Sequence, residues 1–209
     1  MSTSSENKMR LYSSQNERLY LNASEMARFL TAASAAPPPI RLFAMTLAYT
    51  GVRISEARQL RSHAVQLDAR VLSVRCLKKR KDHVVREIPI PHELVAEFAL
   101  MPLPTNDCLL WHDHGREVCR IRAYRWIKAL MRDAGLDGPK ACPKGLRHAY
   151  GARAAVAGIP LHMLQRWMGH SSMQTTAIYA TVLGPEQLML ADRMWQDKQA
   201  FLSLPIRQS

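Results

Sequence analysis

Residues 142–180 read CPKGLRHAYGARAAVAGIPLHMLQRWMGHSSMQTTAIYA, with Arg147 and His148 near the start of the stretch, His170 beyond its middle and Tyr179 near its end. A guanidinium can bind two non-bridging phosphate oxygens, and an imidazole can donate a hydrogen bond or exchange a proton. A phenol is a candidate nucleophile. The stretch therefore predicts chemistry at a phosphate group.

The whole chain is basic and of ordinary domain size. It has 209 residues, 47% of them hydrophobic, which suffices for one domain with a sizeable core. The formal net charge of +12 favours a polyanionic partner, and nucleic acid is the commonest. No apolar run approaches the ~20 residues that span a bilayer. Residues 1–20 lack the apolar region of a secretory signal, so a cytoplasmic location is expected.

The cysteines and histidines show no strong metal-binding pattern. None of the four cysteines forms a C-x-x-C pair, so neither a zinc knuckle nor a redox motif is indicated. His112 and His114 flank Asp113, but two ligands in a loop make a poor metal site, and a solvated turn is the favoured interpretation. No metal and no cofactor are expected.

Helical patterns dominate the chain. Residues 1–20, rich in Ser, Asn and charge, are typical of a flexible arm. Asn22 and Glu25 predict a capping box that opens a helix, and Gly51 lies where a glycine cap ends the next one. Later helices are expected over 93–100, 118–134, 146–157 and 161–168, from Ser171 or Ser172 through Tyr179, and over 186–202.

Two β-branched, alternating segments, 71–77 and 84–90, predict a hairpin or part of a small antiparallel sheet. The turn between them, KKRKDH, is strongly basic. Such a charge run is usually a solvated face, and DNA phosphates are the alternative partner. The basic residues of this region are Arg70, Arg75, Lys78, Lys79, Arg80, Lys81 and Arg86.

Two further basic features remain open to two interpretations each. Arg53 in TGVRISEARQL (50–60) either caps the preceding helix and pairs with Glu56, or binds an anion together with Arg147. The helix over 118–134 has basic faces that either track DNA phosphates or are simply solvated. Its basic residues are Arg120, Arg122, Arg125, Lys128 and Arg132.

Taken together, these motifs resemble the tyrosine recombinases of the phage-integrase family. The family's first box, T-G-x-R-x-x-E-x-x-x-L, is matched over 50–60. Its H-x-L-R-H motif is matched over 144–148, with Lys144 in place of the first histidine. Its last motif, roughly L-G-H-x-x-x-x-T-x-x-Y, corresponds to Met168-Gly169-His170 with Thr175, Thr176 and Tyr179, and the resemblance extends upstream to about Leu21.

The resemblance implies attack of Tyr179 on a DNA phosphodiester, giving a 3′-phosphotyrosyl bond without ATP or a metal. A lysine on the hairpin would protonate the leaving 5′-hydroxyl. Lys78 is the first choice, because it directly follows the strand, with Lys79 and Lys81 as alternatives. The resemblance assigns phosphate binding to Arg53, Lys144, Arg147 and His170, and support to Glu56 and His148. From the charge pattern, the candidate DNA contacts are Lys79, Arg80, Lys81, Arg120 and Arg125.

The same resemblance implies a mainly α (α+β) catalytic domain over 21–183, with a small antiparallel sheet that carries the lysine hairpin. Residues 184–209 would form a helix and tail that either pack into a neighbouring protomer or fold back on their own core. The chain is expected to be a short form without the family's N-terminal core-binding domain. Expected partners are double-stranded DNA, a homotetramer on two DNA sites, and accessory DNA-bending proteins.

Three functions are compatible with these features. The first is site-specific recombination, with integration, excision or inversion as the outcome. The second is non-catalytic DNA binding, since residues 158–180 also resemble a helix-turn-helix. The third is strand relaxation of the type IB topoisomerase kind. The separated set of Arg53, the hairpin lysine, Arg147, His170 and Tyr179 favours recombination, because a simple DNA-binding protein does not need it.

Overall fold

The computed structural model describes residues 10–76, 84–101, 106–181 and 191–192, and this part of the chain is mainly helical. The helices are α1 (Ala23–Ser34), α2 (Pro38–Thr50), α3 (Ile54–Ala57), α4 (His92–Ala99), α5 (Arg120–Asp133), α6 (Pro143–Val156), α7 (Leu161–Met168) and α8 (Met173–Ala177). The strands are β1 (Val65–Gln66), β2 (Val71–Arg75), β3 (Val85–Pro89), β4 (His112–Asp113) and β5 (Arg116–Glu117), and 3₁₀ turns occupy Ser62–Ala64 and Ile178–Thr181. The predicted fold class is confirmed.

The core is built around α2, which is buried on most of its surface and packs against α1, α4, α5 and α6. Phe43, Ala44 and Ala48 of this helix are completely buried. The ring of Phe43 meets that of Trp111 edge to face, with centroids 5.2 Å apart. The sequence predicted an apolar stripe on one side of this helix. The structure shows a central helix, because neighbours cover it on several sides.

The start of α1 and the end of α2 follow the local signals that the sequence predicted. The Asn22 side chain accepts from the Glu25 amide at 2.8 Å, and the Glu25 carboxylate accepts from the Asn22 amide at 2.9 Å, so the capping box is confirmed. Gly51 ends α2 in the left-handed conformation, with φ 61°. A Cβ there would lie 2.4 Å from Cδ1 of Tyr150, so the close packing of α2 on α6 also requires glycine.

The two predicted strands are β2 and β3 of a three-stranded antiparallel sheet with the order β1-β2-β3, in which β2 is central. Val71 pairs with Pro89 and Arg75 with Val85, so the strands are slightly shorter than the sequence pattern suggests. Residues 77–83, which contain the predicted turn, lie outside the described residues. The two-residue strands β1, β4 and β5 were not predicted, since so short a segment has no periodicity to detect.

Residues 10–20 differ from the flexible arm that their composition suggests. Leu11 and Tyr20 are buried, at 5% and 2% exposure. Arg18 donates to both oxygens of Glu25 at 2.8 Å, and the Lys140 ammonium lies 2.8 Å from the same carboxylate. These contacts hold the segment against α1 and against the loop that precedes α6.

The segment from α6 onward follows the predicted order with two changes. Helix α6 begins at Pro143 rather than at Leu146, because proline suits the first turn of a helix, where an amide hydrogen has no intrahelical acceptor. Tyr179 lies in a 3₁₀ turn after the short α8 rather than on a continuous helix. The predicted helix over 186–202 falls almost wholly outside the described residues.

Candidate active site

Arg147 stands at the centre of the candidate site. Its guanidinium donates to the Gly51 carbonyl at 2.5 Å and to the Met168 carbonyl at 2.7 Å. The side chain is buried, and burial, followed by the nearby charge of Arg53, lowers its pKa to about 9. The group therefore stays protonated at neutral pH, and it joins the end of α2 to the end of α7.

Three arginines from different parts of the chain meet at the C-terminal end of α7. The last carbonyls of a helix lack intrahelical partners and carry partial negative charge, so they favour cationic donors. Each of three consecutive carbonyls accepts from a different guanidinium. The pairs are Arg86 Nε to Trp167 at 2.8 Å, Arg147 Nη2 to Met168 at 2.7 Å, and Arg53 Nη2 to Gly169 at 3.4 Å.

Glu56 is the carboxylate that supports this arginine cluster. Its side chain is 1% exposed and lies 2.9 Å from Nη1 of Arg53 and 2.6 Å from Nη2 of Arg86. Burial alone would raise the pKa of Glu56, but the charges and hydrogen bonds of Arg86 and Arg53 outweigh burial and hold that pKa below its ordinary value. Glu56 is thus ionised at neutral pH. Three arginines face one carboxylate, so the cluster has excess positive charge and suits an anion.

The predicted pairing of Arg53 with Glu56 is confirmed, but Arg53 begins α3 and does not cap the preceding helix, which ends at Gly51; anion binding by Arg53 stays a prediction. Its amide and its guanidinium both donate to Glu56, which fixes the start of α3. Its side chain is nevertheless 25% exposed and extends to the Gly169 carbonyl. Of the two arginines that the sequence singled out, Arg53 is therefore the more accessible one.

Tyr179 is buried beside two histidines. Its hydroxyl lies 3.1 Å from Nδ1 of His148, and its ring stacks on that of His170 with centroids 6.4 Å apart and planes 10° apart. The side chain is 1% exposed. Burial raises the pKa of the Tyr179 hydroxyl, and the charges of Arg147 and Arg53 offset only part of this effect. The phenol is therefore protonated in this arrangement.

Both histidines are neutral at physiological pH. Burial, with the charges of Lys144 and Arg147, lowers the pKa of His148 to about 4. Burial, with the charges of Arg147 and Arg53, lowers the pKa of His170 to about 3. A neutral His148 can accept a proton from the Tyr179 hydroxyl that it already contacts.

The second ring nitrogen of each histidine is available for a ligand. His170 Nδ1 lies 2.9 Å from the Thr176 hydroxyl, and a tautomer that accepts that hydroxyl proton carries its own hydrogen on Nε2. Nε2 of His170 and Nε2 of His148 are buried and have no hydrogen-bond partner among the described residues. A buried ring nitrogen of this kind is suited to a phosphate oxygen.

The remaining predicted residues fall into three groups. Lys144 is exposed on the first turn of α6, and its charge contributes to the lowered pKa of His148 one turn later. Arg120 and Arg125 are exposed on α5. Lys78, Lys79, Arg80 and Lys81 lie outside the described residues.

Arg86 belongs to the site, although the sequence interpretation only counted it among the basic residues of the hairpin. It lies on β3 and is 4% exposed. The sequence does indicate that Arg86 is buried, because Arg86 alternates along the strand with Ile88 and Ile90, both of which face inward. A charged residue on the inward face of a strand indicates a buried partner, and here that partner is Glu56.

Two further observations concern ligands and membranes. Within the described residues, no group of three or more His, Cys, Asp or Glu side chains is placed to hold a metal ion. None of the helices described is long and apolar enough to cross a membrane.

Comparison with known proteins places this arrangement in a family. Residues 19–184 match the model of the phage integrase family. The tyrosine recombinase XerA of Thermococcus kodakarensis is 30% identical over 165 residues, which cover 78% of this chain and 57% of that protein. The chain thus spans about half the length of the curated relatives that it matches.

Solved structures share the fold. The XerA recombinase superposes with a TM-score of 0.73 at 25% identity, over 84% of this chain and 64% of the other. The XerH site-specific recombinase, solved in a pre-cleavage complex with its difH substrate, superposes with a TM-score of 0.66 at 21% identity, over 88% of this chain and 59% of that one. The chain therefore belongs to the phage integrase family and contains its tyrosine recombinase catalytic region.

Proposed function

We propose that this protein cleaves and rejoins DNA by transesterification, with Tyr179 as the nucleophile. One observation carries the proposal: the Tyr179 hydroxyl and ring lie against two neutral histidines, within the electrostatic influence of the buried guanidinium of Arg147. A non-catalytic DNA-binding protein has no use for a buried phenol among groups that bind phosphate and accept protons. Family membership and the DNA complex of the related XerH structure support the same substrate class.

In the proposed reaction, the Tyr179 oxygen forms a bond to phosphorus while the bond from phosphorus to the deoxyribose 5′-oxygen breaks. The phenolic proton passes to His148. The leaving 5′-oxygen takes a proton from a lysine of the hairpin, with Lys78 as the first candidate and Lys79 and Lys81 as the others. Attack by another 5′-hydroxyl reverses the step and joins a new strand. Bond energy is conserved in the phosphotyrosyl ester, so the step balances without a further reactant.

The arginines stabilise the charge that develops in the transition state. Arg53 and Arg147 donate to the two non-bridging oxygens, and His170 donates from Nε2. Lys144 takes the position where the family usually has a histidine and serves as an additional donor to the phosphate. Fixed donors of this type need no reorganisation during the reaction, which is why each contributes a large factor in rate.

The closed position of Tyr179 implies a movement before cleavage. A side chain that is 1% exposed cannot reach a phosphate on a duplex outside the protein. DNA binding therefore shifts the 3₁₀ turn of Ile178–Thr181, so that the Tyr179 hydroxyl reaches the phosphate while it stays within hydrogen-bonding distance of His148. The short α8 and this turn are the segment that moves.

The partners follow from the chemistry and from the family. Exchange between two duplexes needs four cleavages, so we propose a homotetramer on two DNA sites. Exposed residues such as Arg120 and Arg125 track the phosphate backbone, and accessory proteins bend the DNA. The reaction outcome is integration, excision or inversion of a DNA segment.

Covalent trapping tests this proposal. A nicked suicide duplex, made from DNA that flanks the native gene, is incubated with the protein and quenched with denaturant. The wild type is expected to form a denaturant-resistant adduct on a DNA 3′ end, and Tyr179→Phe is expected to form none. DNA binding by the wild type without an adduct, with host extract present, contradicts the proposal and favours non-catalytic DNA binding.

A further inference from the structure

Arg86 is a buried arginine to which the proposed reaction gives no task. It is 4% exposed, whereas arginine is almost never fully buried unless it is paired. Its β3 position places it beside the base of the lysine hairpin. Its Nη1 lies 3.1 Å from Sγ of Cys76, which directly follows β2.

The contacts of Arg86 join three separate parts of the site. Nη2 and Nη1 donate to the two oxygens of Glu56 at 2.6 and 3.4 Å, and Nε donates to the Trp167 carbonyl at 2.8 Å. A Cβ on Gly169 would lie 3.0 Å from Cζ of Arg86, so the guanidinium packs directly on the residue before His170. Arg86 therefore ties the sheet to α3 and to the end of α7.

The charge balance of this cluster depends on Arg86. Glu56 contacts both Arg53 and Arg86, and the side chains of Glu56 and Arg86 are 1% and 3% exposed. Among the described residues, Arg53 is the only other arginine that contacts Glu56, so without Arg86 the Glu56 charge would cancel that of Arg53. With Arg86 present, Glu56 and its two contacting arginines together keep one positive charge, in addition to that of Arg147, and this charge resides on the 25% exposed Arg53 side chain.

We propose that Arg86 is a positioning residue for phosphate binding: it neutralises Glu56 so that Arg53 keeps its charge for the scissile phosphate, and it holds the end of α7 from which His170 follows. This inference rests on the proposed function, because it concerns the same phosphate. It assigns Arg86 no direct contact with DNA. Its effect is therefore expected in the rate of cleavage and not in the affinity for DNA.

A double-mutant cycle separates this role from simple support of the fold. Arg86→Met leaves Glu56 to neutralise Arg53, and we expect the single-turnover rate of adduct formation to fall about 10–100-fold, somewhat less than for loss of a direct donor. Adding Glu56→Gln removes the competing carboxylate, so the double variant should recover at least about tenfold over Arg86→Met. DNA affinity should change less than about threefold in both variants, because phosphate contacts on the surface dominate it.

Two controls keep the test interpretable. Arg86→Lys keeps a positive charge opposite Glu56, and its cleavage rate should stay within about tenfold of the wild type even if the methionine variant folds poorly. Arg41→Met is the matched control outside the site. Arg41 is partly buried and, like Arg86, pairs with a glutamate, in this case Glu97 at 2.8 Å. That variant should cleave at the wild-type rate. Thermal unfolding of every variant verifies that the rates are measured on folded protein.

The outcomes are distinct. A wild type that binds DNA but forms no adduct overturns both the proposed function and this inference. A wild type that forms the adduct while Arg86→Met does so equally fast overturns the inference alone. A double variant no faster than Arg86→Met, or a lysine variant as slow as the methionine variant, shows that charge compensation at Glu56 is not what Arg86 supplies.

Discussion

Gly151 of α6 forms the surface against which the Tyr179 ring rests, and Gly151→Ala should disturb this contact selectively. A Cβ at position 151 would lie 2.3 Å from Cζ, 2.4 Å from Cε1 and 2.6 Å from Cε2 of the ring, where ordinary contacts are 3.4–4 Å. The ring must therefore retreat by about 1 Å. That shift stretches the 3.1 Å contact between the Tyr179 hydroxyl and His148 beyond hydrogen-bonding distance.

The change in the free energy of unfolding has three contributions, of which two destabilise the folded protein and one stabilises it. Overpacking a tightly packed site costs about 1–3 kcal/mol, and loss of the hydrogen bond to His148 costs about 1 kcal/mol more. Alanine is the better helix former by about 1 kcal/mol, which offsets part of this cost. Gly151→Ala should therefore lower the free energy of unfolding by about 1–3 kcal/mol, as measured by urea denaturation.

The control is the same substitution in a Tyr179→Ala background. Without the ring there is nothing at position 179 for the new methyl group to strike, so only the helix propensity remains. Gly151→Ala should then stabilise the protein by up to about 1 kcal/mol, a reversal of sign. Equal destabilisation in both backgrounds would show that the Tyr179 ring does not rest on Gly151 in solution.

Three further predictions concern the arginines and the histidine. Arg147→Lys should lower the single-turnover rate of adduct formation about 100–1000-fold, because an ammonium group cannot donate in a fork to two phosphate oxygens; a rate within tenfold of the wild type would contradict that role. His148, with its pKa lowered from 6.5 to about 4, is protonated more readily in the unfolded chain, so stability should fall as pH drops from about 6.5 to about 4. This fall should be smaller by about 3 kcal/mol in His148→Gln, measured by urea denaturation across that pH range, and an unchanged fall would count against a neutral buried imidazole. Exchanging Arg120 and Arg125 together for glutamine should weaken DNA binding and reduce the slope of log Kd against log salt by about 1 per residue, measured by fluorescence anisotropy, and an unchanged slope would place both residues off the DNA.

Features set by neighbouring residues were predictable from the sequence. The Asn22–Glu25 capping box, the Gly51 cap and the bounds of α7 all depend on contacts within a few positions of the chain. The alternation of the two strands likewise predicted the hairpin. The beginning of α6 was misplaced because Pro143 was interpreted as a residue before the helix, although proline is well tolerated in the first turn.

Features set by distant contacts were not predictable in the same way. The motifs indicated that Arg53, Arg147, His170 and Tyr179 act together, and the structure brings them to one place. The sequence did not indicate that the tyrosine is buried, because that depends on how its 3₁₀ turn packs on Gly151. Periodicity describes one element at a time and carries no information about this packing.

Arg86 was predictable only in part, because its burial depends on a local pattern and its partner depends on the fold. Its inward register on β3 was readable from its alternation with Ile88. Its partner was not, because Glu56 lies 30 positions away and on another element. A buried charged residue can thus be predicted from the alternation along a strand, whereas the residue that pairs with it is identified only in the folded structure.

The most direct test of the central claim is to identify the atom that becomes attached to DNA. The adduct formed on a suicide duplex is digested with nuclease and protease, and the linked peptide is sequenced by mass spectrometry. We expect a nucleotide 3′-phosphate on the hydroxyl of Tyr179. A nucleotide on Tyr150, whose ring packs over Gly51 nearby, or on any other residue, would contradict the assignment of the nucleophile.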